Sequence, residues 1–207
     1  LLGRNGAGKS TLIRFLAGQI VPLGGEVTKS KDLSIGYFEQ NALDQLREYE
    51  NPLQHLVRLD GFTREQELRS YLGGFGFIGD DVFREVGLFS GGERSRLALA
   101  LIIWQKPNVL LLDEPTNHLD MDMRYALTRA LQSFEGSMVL VSHDRSLLSS
   151  VCDQLYLIAD GALTEFDSDL DEYSSQILAK TNRSESSGSK SLGSRKERRR
   201  EEADARN

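Results

Sequence analysis

Two apolar residues, Leu1 and Leu2, open the chain. A glycine-rich stretch follows over residues 3–10, then a run over 11–19 whose apolar positions, Leu12, Ile13, Phe15 and Leu16, fall on one side of a helix. That order predicts strand, loop, helix. Pro22, Gly24 and Gly25 punctuate the text, and residues 26–28 and 33–38 then read as two short strands of a small β element. From about 42 to 105 the pattern is mainly helical and predicts a lobe. Pro52 follows Asn51 at a helix start, the glycines of 73–76 end that helical text, and a short helix falls near 80–85. A longer helix over 91–105 carries the stripe Leu97, Ala100, Leu101, Trp104 and stops at Pro107.

Continuous apolar runs at 109–112 and 138–141, separated by a helix at 123–134, are the alternation of buried parallel strands joined by crossovers. Residues 154–159 and 163–166 flank Asp160-Gly161 and read as a hairpin. The pattern thus predicts an α/β fold with a mainly parallel core sheet, an antiparallel β element and a helical lobe, ending near Ile177 or Leu178. Beyond it, residues 179–207 turn to Asn, Ser, Gly, Lys and Arg. They read as a flexible charged linker, with 195–206 as the opening of a solvated helix or coiled coil.

Composition narrows the class. The 207 residues are 39% hydrophobic and 27% charged, the balance of a globular protein. The single cysteine, Cys152, excludes an intramolecular disulfide framework, and a reducing, cytoplasmic setting is expected. No apolar run approaches the roughly 20 residues of a membrane span, so no membrane insertion is expected. The net charge of −6 averages two unlike parts: residues 180–207 hold 9 Lys and Arg against 5 Asp and Glu, leaving 16 against 26 in the body. A body so acidic does not grip nucleic acid over its general surface. Leu1 stands two residues before a loop of a kind that follows a complete strand, so the chain reads as truncated at its front.

Two stretches carry chemistry. Gly3-Arg4-Asn5-Gly6-Ala7-Gly8-Lys9-Ser10, followed by Thr11, fits the P-loop pattern, in which backbone N–H groups surround phosphates at a helix N-terminus. Lys9 is placed to reach the β- and γ-phosphates, and the Ser10 hydroxyl to ligate Mg²⁺. Further on, the strand Val109-Leu110-Leu111-Leu112 delivers Asp113 and Glu114 to its tip. Alternation along a strand turns the two carboxylates opposite ways, Asp113 toward a metal and Glu114 toward an attacking water as general base.

Between these stretches stands Phe89-Ser90-Gly91-Gly92-Glu93, which resembles the signature of ATP-binding cassette proteins; Gln40 resembles their Q-loop glutamine, Asn117-His118-Leu119-Asp120 their D-loop, and His143 their switch histidine. The unbroken run from Leu111 to Asp120, Glu93 at the signature's fifth place and Ser142-His143-Asp144-Arg145 resemble the ABC-F members, over about residues 1–178. The resemblance implies a P-loop NTPase of the ABC ATPase type, with ATP and Mg²⁺ as cofactors and a second cassette as partner. One cassette's P-loop and the other's Ser90, Gly91, Gly92 and Glu93 would share each nucleotide, with Asp120 serving across the interface. It further implies Glu114, His143 and Gln40 as catalytic, Ser10, Gln40 and Asp113 around the metal, and the ribosome, with its rRNA and tRNA, as partner in regulating translation. Phe89 departs from the usual leucine. Two other readings stay open: the nucleotide-binding subunit of a membrane transporter, and a scaffold that holds ATP with little turnover.

The remaining candidates read blandly. His55 is expected on a helix surface, and His118 in a structural or interfacial role. The acidic cluster Asp167, Asp169, Asp171, Glu172 lacks the glycine and glutamate spacing of a calcium loop and reads as a solvated turn. The basic run 195–200 divides evenly between RNA phosphate contact and a free charged helix.

Overall fold

The computed structural model describes residues 1–117 and 119–166, without the side chains of 40–42. The expectations placed on His118, the Gln40 side chain, the acidic turn at 167–172, the end near 177–178 and the tail therefore lie outside the described residues.

A parallel sheet holds the centre, in the order β1 (Ile35–Phe38), β2 (Val109–Asp113), β3 (Ser137–Val141). Phe38 lies opposite Leu112, and Asp113 opposite Val141, so all three strands end at one edge. The apolar run of β2 is buried at Leu110, Leu111 and Leu112, as a strand covered on both faces requires. Helix α1 (Lys9–Leu16) covers it through the buried Ile13, which packs in one cluster with Leu1, Leu111, Val141 and Ile158. The hairpin appears as β4 (Tyr156–Ala159) and β5 (Ala162–Glu165). Leu1 and Leu2 join the two sheets. The Leu1 nitrogen donates to the Leu140 carbonyl at 2.6 Å, Leu2 N–H to Tyr156 at 2.6 Å, and Ile158 N–H to Leu2 at 2.8 Å.

Between β1 and β2 the chain builds α2 (Pro52–Leu59), α3 (Glu65–Gly74) and α4 (Gly91–Trp104), with two short 3₁₀ turns between α3 and α4. Asn51 caps α2 in a reciprocal box with Gln54, and Pro52 occupies the first turn, where its missing N–H costs nothing. Tyr71 fastens α3 to α4: its ring packs edge-on to Trp104 at 4.7 Å and its hydroxyl donates to the Ala100 carbonyl. Helix α4 leans on β1, while α5 (Met121–Gln132) and α6 (Arg145–Val151) pack together after β2 and β3. Among the described residues no helix is long and apolar enough to cross a membrane.

Several expectations change. Residues 26–28 form no strand and residues 35–38 pair in parallel with β2, so the small early β element does not form, while the antiparallel element is the hairpin of β4 and β5. Val21, Leu23 and Val27 are exposed, leaving their alternation no apolar face to bury. The helix near 80–85 is a 3₁₀ turn at Gly79–Phe83. Helix α6 was not expected at all. His55, expected at a surface, is fully buried.

Candidate functional site

The carboxyl edge of the parallel sheet gathers the residues that the sequence singled out. Gln40 lies two positions beyond the end of β1, Asp113 ends β2, Glu114 follows it, and His143 lies two positions beyond the end of β3. Crevices at such edges are where open α/β sheets bind ligands. Residues 3–8 form the loop entering α1 at this edge. Gly6 and Gly8 have φ of 79° and 102°, in the left-handed region, and an added Cβ at either would meet nothing within 4 Å. Backbone conformation, not space, demands glycine there.

Helix α1 has no side-chain cap and no acidic residue in its first turn. Its opening N–H groups thus lack intrahelical acceptors and face outward with the positive end of the helix dipole. Lys9 is buried, and its ammonium folds across the loop onto the carbonyls of Gly3 at 2.8 Å and Arg4 at 3.1 Å. Arg4, Asn5, Ala7, Ser10 and Thr11 complete this rim, with Ser10 and Thr11 exposed. A loop of this shape and charge fits a polyphosphate.

Glu114 is the most unusual residue of the edge. Its φ is +52°, a conformation that a non-glycine residue adopts at a cost of about 1–3 kcal/mol and that recurs at functional sites. Glu114 therefore departs from the line of β2 through a left-handed kink after the strand, and not through strand alternation with Asp113. The kink leaves Glu114 Oε1 buried without a hydrogen-bond partner, 3.4 Å from His143 Nε2, while Oε2 accepts from the His143 backbone N–H at 3.4 Å. Burial raises the Glu114 pKa, and the nearby His143 opposes that rise. A half-desolvated carboxylate with one vacant oxygen is suited to accept a proton from water. No cluster of three His, Cys, Asp or Glu side chains is assembled among the described residues, so a Mg²⁺ held by Ser10 and Asp113 would complete its shell from phosphate and water.

Supporting contacts place His143. Thr116 and Ser142 hydroxyls meet at 3.3 Å in a buried pair that links the segment after β2 to the segment after β3. Asp144 caps α6 through Leu147 N–H and pairs with Arg124 of α5 at 3.1 Å. On the β1 side the buried Glu39, next to Gln40, accepts from the Tyr37 hydroxyl at 2.7 Å and from Arg14 of α1 at 3.3 Å. Sequence reading passed over these partners. The cap signal at Asp144, three residues before an apolar pair, was there to be read.

Ser90, Gly91, Gly92 and Glu93 stand elsewhere, at the start of α4. Ser90 caps the helix by accepting from Glu93 N–H, and Glu93 accepts in return from Ser90 N–H at 2.8 Å. Burial works against the charge of Glu93, but the Ser90 bonds and the Arg84 guanidinium outweigh it and hold its carboxyl below the ordinary value. Phe89 is buried and stacks on Phe77 at 5.5 Å, so the departure from leucine is absorbed by packing. Asp120 caps α5 through Met123 N–H at 2.9 Å.

The fold and this edge define a P-loop nucleotide-binding cassette. Residues 1–117 match the family model described as ABC transporter, and the chain belongs to that family, in its ABC-F branch. It is 54% identical over 212 residues to "Probable ATP-binding protein YheS" of Escherichia coli (strain K12), a match covering 100% of this chain and 33% of that one. It is 41% identical over 186 residues to "ABC transporter F family member 4" of Arabidopsis thaliana, covering 86% and 26%. The chain thus spans about a third of the length of the curated relatives it matches. Among solved structures, the complex of archaeal ribosomal stalk protein with the archaeal ribosome recycling factor aABCE1 aligns at TM-score 0.66 and 27% identity, over 85% of this chain and 36% of that one.

Proposed function

We propose that this chain is an ATP-binding and ATP-hydrolysing cassette that works with a second cassette, over domain bounds of about 1–178, in a protein that engages ribosomes and regulates translation by opening and closing. The observation that carries the reading is Glu114, kinked out of β2 with a buried oxygen that accepts no hydrogen bond and lies 3.4 Å from His143 Nε2. ATP with Mg²⁺ supplies the transferable phosphoryl group and a clamp on its charge. Gly6, Gly8 and the opening N–H groups of α1 bind the phosphates, and Lys9 releases its carbonyls to meet them. Ser10 and Asp113 would hold the metal, with Gln40 joining them as the family resemblance implies. Glu114 would orient water and take its proton at Oε1, becoming a neutral carboxylic acid beside His143 Nε2, while the water oxygen bonds to the γ-phosphorus and ADP leaves.

Ser90, Gly91 and Gly92, capped by Glu93 at the N-terminus of α4, present N–H groups and a hydroxyl to the phosphate of a facing cassette. Asp120 serves that interface from the segment between β2 and α5. The ribosomal part of the reading is supported by ABC-F membership, by the likeness to a ribosome recycling factor and by the basic composition of 195–200. A cytoplasmic site of action follows from it. The test is sedimentation with ribosomes: Glu114→Gln should hold the protein in the ATP-bound form and enrich it in the ribosomal pellet with ATP. Equal sedimentation of variant and unaltered protein would sink the ribosomal reading.

A further inference from the structure

His55 is a fully buried titratable side chain that none of the chemistry above uses. Its ring makes two contacts of fixed sense. Nε2 lies 3.0 Å from the Arg47 backbone N–H, which can only donate, so Nε2 accepts and the ring proton resides on Nδ1, 2.9 Å from the Asn51 carbonyl. The imidazole thereby anchors the start of the turn at residues 47–50 to α2. That turn carries the next segment: the Glu50 carbonyl accepts from Val86 N–H at 3.0 Å and the Glu48 carbonyl from Gly87 N–H at 2.7 Å. Arg94, in the first turns of α4, closes the link by pairing with the Glu48 carboxylate at 3.3 Å and donating to the Gly87 carbonyl at 3.1 Å. Gly87 is fitted tightly, since an added Cβ would lie 3.1 Å from the Glu48 carbonyl oxygen.

Residue 47 follows the 3₁₀ turn at Gln40–Gln45 by two positions, and residues 86–89 lead directly into Ser90. We propose that His55 is a positioning residue for the composite ATP site, holding the 47–50 turn and through it the place of Ser90, Gly91 and Gly92 relative to the Gln40 segment. The proposal rests on reading those three residues as one half of a phosphate site. Its distinctive consequence is a split between two properties. A nucleotide on this cassette's own P-loop does not touch the signature, so loosening the turn leaves its binding alone and impairs turnover.

His55→Leu fills the buried space and removes the acceptor, while His55→Gln keeps an oxygen at similar reach for Arg47 N–H. With the purified protein, Mg·ATP affinity, kcat and thermal melting are measured for both. His55→Leu should lower kcat by about tenfold, the order of one lost buried hydrogen bond, with affinity within about twofold, and His55→Gln should bring kcat back to within about threefold. Unaltered kcat in folded His55→Leu overturns the proposal, as does an equal fall in affinity or a failure of Gln to rescue. Should the Leu variant not fold, Gly87→Ala pushes on the same contact from the other side without touching α2. A lowered kcat with unaltered affinity then supports the proposal, and an unaltered kcat overturns it. Glu114→Gln run in parallel separates the two layers: if it too leaves turnover unaltered, the underlying reading of the site has failed rather than the role of His55.

Discussion

Replacing Gly8 by Ala isolates the conformational demand of the phosphate loop. A Cβ at this position meets no atom within 4 Å, so the substitution adds no steric clash and loses no packing. What remains is backbone: φ is 102°, and an L-residue in left-handed conformation costs about 1–2 kcal/mol relative to glycine. Two outcomes share that cost. If the loop keeps its shape, the folded state loses the full amount, and Tm falls by about 2–8 °C for a domain of this size. If the loop relaxes to negative φ, stability is kept and the N–H groups no longer converge, so Mg·ATP affinity falls by about 5–30-fold. The assays are thermal denaturation and nucleotide titration on the same preparation, with Gly24→Ala as control, where the added Cβ also meets nothing and φ lies outside the left-handed region. A Gly8→Ala protein with Tm within about 1 °C and affinity within about twofold of the unaltered protein would refute the reasoning.

Other substitutions probe separate parts of the account. Ser90→Ala removes one arm of the capping box at α4 and should cost about 1 kcal/mol, read as a fall of about 2–4 °C in Tm; no shift would mean that the box contributes nothing. Phe89→Leu restores the residue usual at this place and gives up the stack on Phe77 and the contact with Arg84 at 4.6 Å, for a loss of about 0.5–1.5 kcal/mol in chemical denaturation. His55 makes stability fall in acid. Burial lowers its pKa in the fold, against the opposing Asn51 carbonyl and Glu50 and with the aid of Arg58 and Arg47, so the unfolded chain binds its proton first. Its contribution is therefore complete above the ordinary value of about 6.5 and declines as pH drops from there toward the folded value. Denaturation midpoints between pH 5 and 8 should flatten in His55→Gln; the same slope in both proteins would exclude His55 as its source.

Much of this molecule was legible in the order of its residues. The run Val109-Leu110-Leu111-Leu112 read as a strand covered on both faces, and the glycine spacing before Lys9 as a loop feeding a helix. What escaped has physical reasons. Helix α6 has seven residues, too few for a periodic stripe, and rests on its cap and on α5. Residues 26–28 have strand-like text but no described neighbour to pair with, and pairing, not propensity, makes a strand. His55 sits among Leu, Val and Arg as a surface residue would, yet its ring is claimed by a backbone N–H eight positions upstream. The kink at Glu114 has no marker in a sequence that reads as strand continuing into turn, and neither does the joining of Glu39 to Arg14, 25 residues away. Contacts of that kind belong to the folded chain alone.

The central claim is that Glu114 takes the proton from water during ATP hydrolysis, and single-turnover hydrolysis by Glu114→Gln tests it most directly. The substitution keeps the shape of the side chain and removes the basic oxygen. Mg·ATP should bind as before while the hydrolytic rate falls by about 10²–10⁴-fold, the usual contribution of a positioned general base. A rate within about twofold of the unaltered protein, with nucleotide bound, would contradict the account.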